Sequence, residues 1–334
     1  MSNAHKLSIS TCVVTYERPD HIKRLLRSII AQETLPKEVI IIDDSDNENT
    51  RKVVNNFKSD IVCADCNLIY QHRPDGSGMT EARNVAIERS TGDIIVFFDD
   101  DVEIPPGWFK RLRSHWKKYP DSGVIGGPAL SVDKDGEYSS ELIRSDEKLN
   151  YINEYGETQS RAYRWLPDKV VEVDQVGGAN MSFRRNTLKE VSGFNPIYLG
   201  SAAYEDYDIM ARLRRRGKTI LCCPELKVKH YDTPYTGTAE EGSETAYWAG
   251  YNGILFRFIC FPETFVMSLV RLWLLGGDTM PVWKQIGWAM LHRDVSPLYR
   301  IKGYVYGLLY LMLHRKYLEP VDAGNVKNLT TNVQ

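Results

Sequence analysis

The sequence holds little that could support disulfide bonding. Its six cysteines are scattered along 334 residues without the dense spacing of an oxidised framework, so free thiols in a reducing compartment are expected. Cys63-Ala64-Asp65-Cys66 has the spacing of half a zinc site, but no second Cys or His pair follows at the required distance. An excess of one charge is also missing. The formal net charge of −2 leaves no basic field for a polynucleotide backbone and disfavours nucleic-acid partners. No cationic segment leading into an apolar stretch opens the chain, and the expected compartment is the cytosol. Gly76-Ser77-Gly78 permits close backbone approach, yet it lacks the glycine spacing of dinucleotide and phosphate loops. No G-x-S-x-G elbow supports a hydrolase triad.

Apolar and charged fractions of 43% and 26% are ordinary, enough for a sizeable core without signalling disorder. The N-terminal half alternates strand and helix. Leu7 to Val14, Val39 to Ile42, Leu68 to Tyr70 and Ile94 to Phe98 read as strands; the second and fourth are continuous apolar runs, as in a parallel sheet buried on both faces. Helices are expected from Asp20 to Gln32, through Ile22, Leu25, Leu26, Ile29 and Ile30, and from Thr80 to Arg89. Another should follow Pro105-Pro106-Gly107, carrying Trp108, Phe109, Leu112 and Trp116. A polar stretch precedes Leu68, and Ser131 to Asp168 reads as an irregular excursion before regular structure returns at Val171. The order implies an α/β fold with a mostly parallel, doubly wound sheet, whose ligands bind outside the carboxyl ends of the strands.

Acidic residues stand at those ends. Asp99, Asp100 and Asp101 crowd like charge at the end of a buried strand, which a divalent cation relieves; the plainer reading is a solvated turn and helix cap. Asp43 and Asp44 end a neighbouring strand, where a carboxylate can accept from a nucleobase imide or a ribose hydroxyl, or simply close an Asx-turn. Arg83 is either a diphosphate ligand or an ordinary surface arginine. Glu205-Asp206-Tyr207-Asp208 opens a helix that ends in a basic run at Gly217. There Asp208 suits an i,i+4 pair with Arg212, and Asp206, just ahead of the regular helix, can remain ionised as a general base. For His230, after the strand-like Lys227-Val228-Lys229, metal ligation and plain packing are both open.

Val13-Val14-Thr15-Tyr16-Glu17-Arg18-Pro19, Ile41-Ile42-Asp43-Asp44-Ser45, Glu81-Ala82-Arg83-Asn84, Phe97-Phe98-Asp99-Asp100-Asp101, Gly177-Gly178-Ala179-Asn180 and Glu205-Asp206-x-Asp208 occur in one order. Over about residues 7 to 232, that order resembles the GT-A-type glycosyltransferases of family 2. The resemblance implies a Rossmann-like GT-A sheet flanked by helices. Thr15, Tyr16, Arg18 and Asp44 would border the nucleoside, with Asp43 and Asp100 beside them, and Arg83 the diphosphate. Asp99 and Asp101 would form the metal and ribose site for Mn²⁺ or Mg²⁺, with His230 like the histidine that completes metal coordination in some such enzymes. Gly177, Gly178 and Asn180 would border the donor sugar and acceptor, as would Glu205, and Asp206 would be the base. The family's first loop often has Asn where Glu17 stands.

The expected activity is inverting transfer from a nucleoside diphosphate sugar, UDP or dTDP favoured, to a hydroxyl of a glycan or lipid-linked glycan precursor. A sugar-nucleotide pyrophosphorylase is the nearest rival enzyme, though Thr15-Tyr16-Glu17-Arg18 lacks the Gly-rich first loop that it would show. A silent sugar-nucleotide or polysaccharide binder is the rival of another class. The expected organisation is a catalytic domain over 1–236, divided into a nucleotide-sugar half at about 5–130 and an acceptor half at about 131–236. A helical appendage at 237–322 and a flexible tail at 323–334 complete it. Ile254 to Leu275 is strongly apolar, but Arg257, Pro262, Glu263 and Arg271 interrupt it, and Tyr304 to Leu313 is too short to span a bilayer. The region from 245 to 320 is expected to contact a membrane surface, making the enzyme peripheral on the cytoplasmic face, or else the catalytic domain or a second copy.

Overall fold

The computed structural model describes residues 7–63, 65–161, 163–231, 242–276, 280–292 and 294–314. The expected domain boundary near 236, the tail at 323–334 and the side chain of Cys63 lie outside them. Strands β1 (Ile9–Thr15), β2 (Glu38–Asp43), β3 (Asn67–His72) and β4 (Ile94–Asp99) pair in parallel in the order β4-β1-β2-β3. The crossovers are α1 (Pro19–Ile30), α2 (Asn49–Cys63) and α3 (Met79–Arg89). Pro19 suits the first turn of α1, where its missing N–H costs no helical bond. Side chains along each strand alternate between two cores. Ile9, Val13, Val39, Ile41 and Val96 meet Leu25, Val54 and Trp116, while Cys12, Ile40, Ile95 and Phe97 meet Ala82, Leu188 and Ile209.

The stretch before Leu68, read as polar from the sequence, is the 15-residue helix α2. Its spacing supplies the reason. Val54 and Ile61 are buried, Val53 and Phe57 pack partly beside them, and the polar residues 51, 52, 55, 56 and 58–60 are exposed.

Beyond β4 the chain forms β5 (Val102–Glu103), α4 (Trp108–Lys118), β6 (Val124–Gly126), β7 (Ala129–Val132), β8 (Tyr151–Ile152), β9 (Thr158–Gln159), β10 (Val171–Glu172) and β11 (Asn180–Arg184). Then come α5 (Arg185–Glu190), α6 (Glu205–Arg215), β12 (Ile220–Cys222) and β13 (Val228–Tyr231). Strand β11 runs antiparallel between β4 and β6, β12 pairs parallel with β6, and β10 closes the sheet antiparallel. The sheet is therefore mixed, with a parallel half that carries the first acidic motifs. A small sheet in the order β5-β13-β7 lies beside it. Residues 133–168 are largely irregular, as expected, but are anchored by the fully buried Trp165, whose Nε1 donates to the Ser145 carbonyl at 2.7 Å.

Among the described residues, four helices follow: α7 (Ser243–Cys260), α8 (Phe265–Leu274), α9 (Val282–His292) and α10 (Ser296–His314). The α7–α10 packing is close because glycine stands at the crossing. A Cβ on Gly303 would lie 2.1 Å from the Tyr247 carbonyl oxygen, and one on Gly250 would lie 2.3 Å from that of Arg300. Among the described residues, no helix is long and apolar enough to cross a membrane.

Candidate active site

The carboxyl ends of β1, β2 and β4 open onto a cavity of about 450 Å³, whose lining includes Thr15, Tyr16, Arg18, Asp44, Asp99 and Asp101. Its wall begins with hydrogen bonds that fix the acidic triplet. Thr15 Oγ1 donates to Asp100 Oδ2 at 2.6 Å, while Arg18 Nη1 donates to Asp100 Oδ1 at 3.1 Å and to Asp101 Oδ2 at 3.3 Å. Asp100, buried and bonded on both oxygens, anchors the loop. Tyr16 reaches outward and donates to Asp46 at 3.1 Å. Glu17 takes a left-handed conformation at φ 55°, which asparagine tolerates better than most residues.

Asp99, Asp101 and His230 can each present a ligand atom within 4.8 Å of those of the other two. Topology brings the histidine there. Strand β13 pairs with β5, setting His230 opposite Val102, and His230 Nε2 lies 3.2 Å from Asp101 Oδ1. That oxygen is buried without a hydrogen-bond partner, and burial pushes the Asp101 carboxyl up to about 6 against the opposing pull of His230. An orphaned carboxylate oxygen, a second carboxylate and an imidazole fit a divalent cation of the Mn²⁺ or Mg²⁺ kind. His21 Nδ1, which sequence reading passes over, lies 3.9 Å from Asp100 Oδ1 and forms a second possible cluster with Asp100 and Asp101.

From β2, Asp44 rather than Asp43 lines the cavity. Asp43 is fully buried, accepting from the Ser45 N–H and hydroxyl and from the Tyr70 hydroxyl at 2.6 Å, so it organises the turn. The Asp44 carboxylate lies 3.5 Å from Arg73 Nε, and burial raises it to about 6 despite that cation. Gly76 makes room for it: a Cβ there would fall 2.3 Å from the Asp44 carboxyl carbon.

Behind Asp99, Arg83 links the acidic triplet to α6 and the segment entering β11. Tyr204, left-handed at φ 75°, caps α6 and turns Glu205 and Asp206 into its first turn. Asp206 is therefore the second helical residue rather than lying ahead of the helix. Its Oδ2 accepts from Gln175 Nε2 at 3.0 Å and its Oδ1 from the Tyr207 N–H at 2.9 Å; burial nonetheless raises its pKa. Gln175 is also passed over by the sequence reading, and its place two residues before Gly177 is the signal that could have found it. Arg83 is buried, bonded to Glu205 and, at 3.2 Å, to Asp99 Oδ1, so its guanidinium is already committed to two carboxylates. Burial pushes Glu205 up to about 8 against the pull of Arg83. For Arg83 itself burial is outweighed by Glu205 and Asp99, and its charge is retained. Gly178 lies against this pair: a Cβ would be 3.2 Å from Arg83 Nη2. Asn180 is wholly buried and donates to the Gly127 and Leu226 carbonyls, holding the end of β11 in place. Gly177 lies in the turn that leads to it. Asp208 makes the expected pair with Arg212 at 2.6 Å and belongs to the core.

A mixed sheet that brings Asp44 and a D-x-D carboxylate pair to one cavity, with further acids at the start of α6, matches the GT-A glycosyltransferase class. Within it, the Glycosyl transferase family 2 model matches residues 10–186, and the chain belongs to that family. It is 24% identical over 259 residues to the glucosyl-dolichyl phosphate glucuronosyltransferase of Haloferax volcanii, covering 74% of this chain and 76% of that protein. It is 27% identical over 136 residues to the GalNAc(5)-diNAcBac-PP-undecaprenol beta-1,3-glucosyltransferase of Campylobacter jejuni, with 40% and 41% covered. The mannosyltransferase PcManGT from Pyrobaculum calidifontis, solved with GDP-Man and Mn²⁺, shares the fold with a TM-score of 0.54 at 15% identity, covering 91% of this chain and 88% of that one.

Proposed function

We propose that this glycosyltransferase moves a hexose from a nucleoside diphosphate donor to a hydroxyl of a glycan or lipid-linked glycan precursor, with inversion at the anomeric carbon. The observation that carries the proposal is the meeting of Asp99 and Asp101 with His230, the two carboxylates lining one cavity together with Asp44. The two relatives named above act, by their names, on polyprenyl-type carriers, which supports a lipid-linked acceptor.

In this reading Asp44 accepts from the imide N–H of a uracil or thymine base, with Thr15, Tyr16 and Arg18 along the nucleoside. Asp99, Asp101 and His230 would hold Mn²⁺ or Mg²⁺, which supplies charge neutralisation for the diphosphate when bound. Arg83 keeps Asp99 aimed at that site and Glu205 against the glycine turn; it acts on the diphosphate end through Asp99. The acceptor oxygen bonds to the anomeric carbon as the bond from that carbon to the diphosphate oxygen breaks. Asp206 takes the acceptor proton, and the nucleoside diphosphate leaves. A single displacement needs no covalent intermediate, and its stereochemical result is inversion. Burial of Asp206 raises its basicity, which suits a general base near neutral pH. The catalytic domain is taken as 1–236, with the helices beyond it as an appendage.

The test is a donor panel with Mn²⁺ or Mg²⁺ and lipid-linked acceptors, read by released nucleoside diphosphate and by the anomeric configuration of the product. Release of pyrophosphate instead would make the chain a pyrophosphorylase, and no release from any donor would make it a binding protein.

A further inference from the structure

The active site leaves one large feature unexplained. Outside 266–313, the exposed large hydrophobic side chains among the described residues are Tyr138, Tyr151, Tyr163 and Leu199. Inside that interval, three consecutive helices each turn apolar residues to solvent. On α8 these include Val266, Val270, Trp273 and Leu274; on α9, Trp283, Ile286, Met290 and Leu291; on α10, Leu298, Val305, Leu309 and Leu313. Three- and four-residue steps recur along each helix, so each presents an outward apolar stripe. The other face is committed: Gly303, Tyr304, Gly307 and Leu311 of α10 are buried, its two glycines against α7. Val266, Leu291 and Leu313 are 75%, 79% and 77% exposed, which a soluble surface rarely tolerates in such density.

Charge selects the occupant. The described residues of α8, α9 and α10 include no Asp or Glu. Arg271 is already paired with Glu157 at 2.6 Å, leaving Lys284, Arg300 and Lys302 as the basic side chains of the layer. Lys302 lies 5.7 Å and 5.8 Å from the ring centres of Tyr299 and Tyr306, both exposed, and Lys284 lies 5.2 Å from that of Trp283. Trp273, Trp283 and Trp288 complete a set of amphipathic rings of the sort that settles at the level of lipid headgroups. A two-fold contact with a second copy would set this cationic patch against itself, whereas an anionic lipid surface complements it.

We propose that α8, α9 and α10 dock the enzyme on an anionic membrane surface, with their apolar stripes in the headgroup and upper acyl region and Lys284 and Lys302 at the phosphates. The helices lie on the bilayer and do not cross it. Helix α7 packs both on α10 and on α6, so the docked layer is one helix away from the element that carries Asp206. The proposal stands without the donor and acceptor assignment, because the surface is read independently of the cavity.

The test is flotation of the full chain with vesicles of phosphatidylcholine alone or mixed equally with phosphatidylglycerol, at low salt. Two variants accompany it: Leu291→Glu with Leu313→Glu, and Lys284→Glu with Lys302→Glu. The wild-type chain should float with the mixed vesicles, with a blue shift of its tryptophan emission, and bind neutral vesicles at least about tenfold more weakly. Each double variant should lose at least about tenfold in vesicle affinity while keeping the wild-type melting temperature, since all four side chains are exposed or partly exposed. No flotation with anionic vesicles, or equal flotation of the variants, overturns the proposal. Self-association abolished by Leu291→Glu with Leu313→Glu, without vesicle binding by the wild type, would assign the layer to a second copy. A water-soluble acceptor analogue should be turned over equally by all three proteins, which separates loss of docking from loss of chemistry.

Discussion

Asp44 carries a carboxylate whose surroundings oppose its charge. Burial raises it from 3.8 to about 6, with Glu81 and Asp43 adding to the shift and Arg73 and the Gly78 N–H opposing it. Between those two pH values the folded chain holds a proton that the unfolded chain releases, so stability falls as pH rises through the window, and the full loss is present above it. Asp44→Asn should therefore raise the melting temperature by about 2–5 °C at pH 7.5 and leave it nearly unchanged at pH 4, as calorimetry would show. On the proposed role of Asp44 beside the nucleobase, the same variant should weaken UDP-sugar binding at pH 7.5, because a charged acceptor is lost. Asp206 gives the complementary case. Asp206→Asn keeps the shape and one accepting oxygen, so the Tyr207 N–H retains its acceptor while Gln175 must turn its amide to accept from the new Nδ2; it removes the proposed base, and turnover should fall about 10²–10⁴-fold with donor affinity little changed. Its raised pKa puts the acid limb of the wild-type rate above the ordinary aspartate range. The part of that limb due to Asp206 should vanish from the residual activity of the variant in a pH–rate profile, leaving the part that protonation of Asp44 and Asp101 contributes.

At the scale of elements, legibility follows burial pattern. Strands β2 and β4 are visible because both faces are covered, which demands runs such as Val39-Ile40-Ile41-Ile42. Helix α2 is hidden because it buries only a narrow stripe through Val54 and Ile61. The antiparallel insertion of β11 has no local sign; five residues carry no record of which neighbours they will take. His230 was legible as a candidate, but its approach to Asp101 follows from β13 pairing with β5, a long-range event. Nor could the sequence show that Arg83 spends itself on Glu205 and Asp99, or that α7 props the segment before α6. Asn252 of α7 is fully buried and bonds both backbone groups of Leu199, at 3.3 Å and 2.9 Å, while Phe256 stacks on Tyr204 with ring centres 5.3 Å apart. Asn252→Ala should cost about 1–3 kcal/mol in chemical unfolding by leaving those groups unpaired. It should also reduce kcat more than donor affinity, since the loosened segment leads to Asp206.

For the whole molecule, the site draws on residues as distant in sequence as Thr15, Asp44, Asp99, Gly178, Asp206 and His230. A ligand that touches several of them at once can bind only the folded chain, and so shifts the unfolding equilibrium by mass action. At a donor concentration of about 100 Kd the gain is about 2.7 kcal/mol, enough to raise the melting temperature by several degrees. On the proposed metal role, a cation decides whether that gain appears. Without it Asp99 and Asp101 would face the donor's diphosphate as like charges, one of them already pushed up to about 6 by burial and its acidic neighbours. The donor-induced rise should thus be present with Mn²⁺, absent with chelator and lost in Asp101→Ala even with Mn²⁺, while His230→Ala should need a higher Mn²⁺ concentration to reach it. A UDP-sugar giving the same rise in chelator as in Mn²⁺ would remove the metal from Asp99 and Asp101. Repeating the scan with GDP, UDP and dTDP sugars reads the base recess directly: an imide base should protect through Asp44, and that difference should shrink in Asp44→Asn.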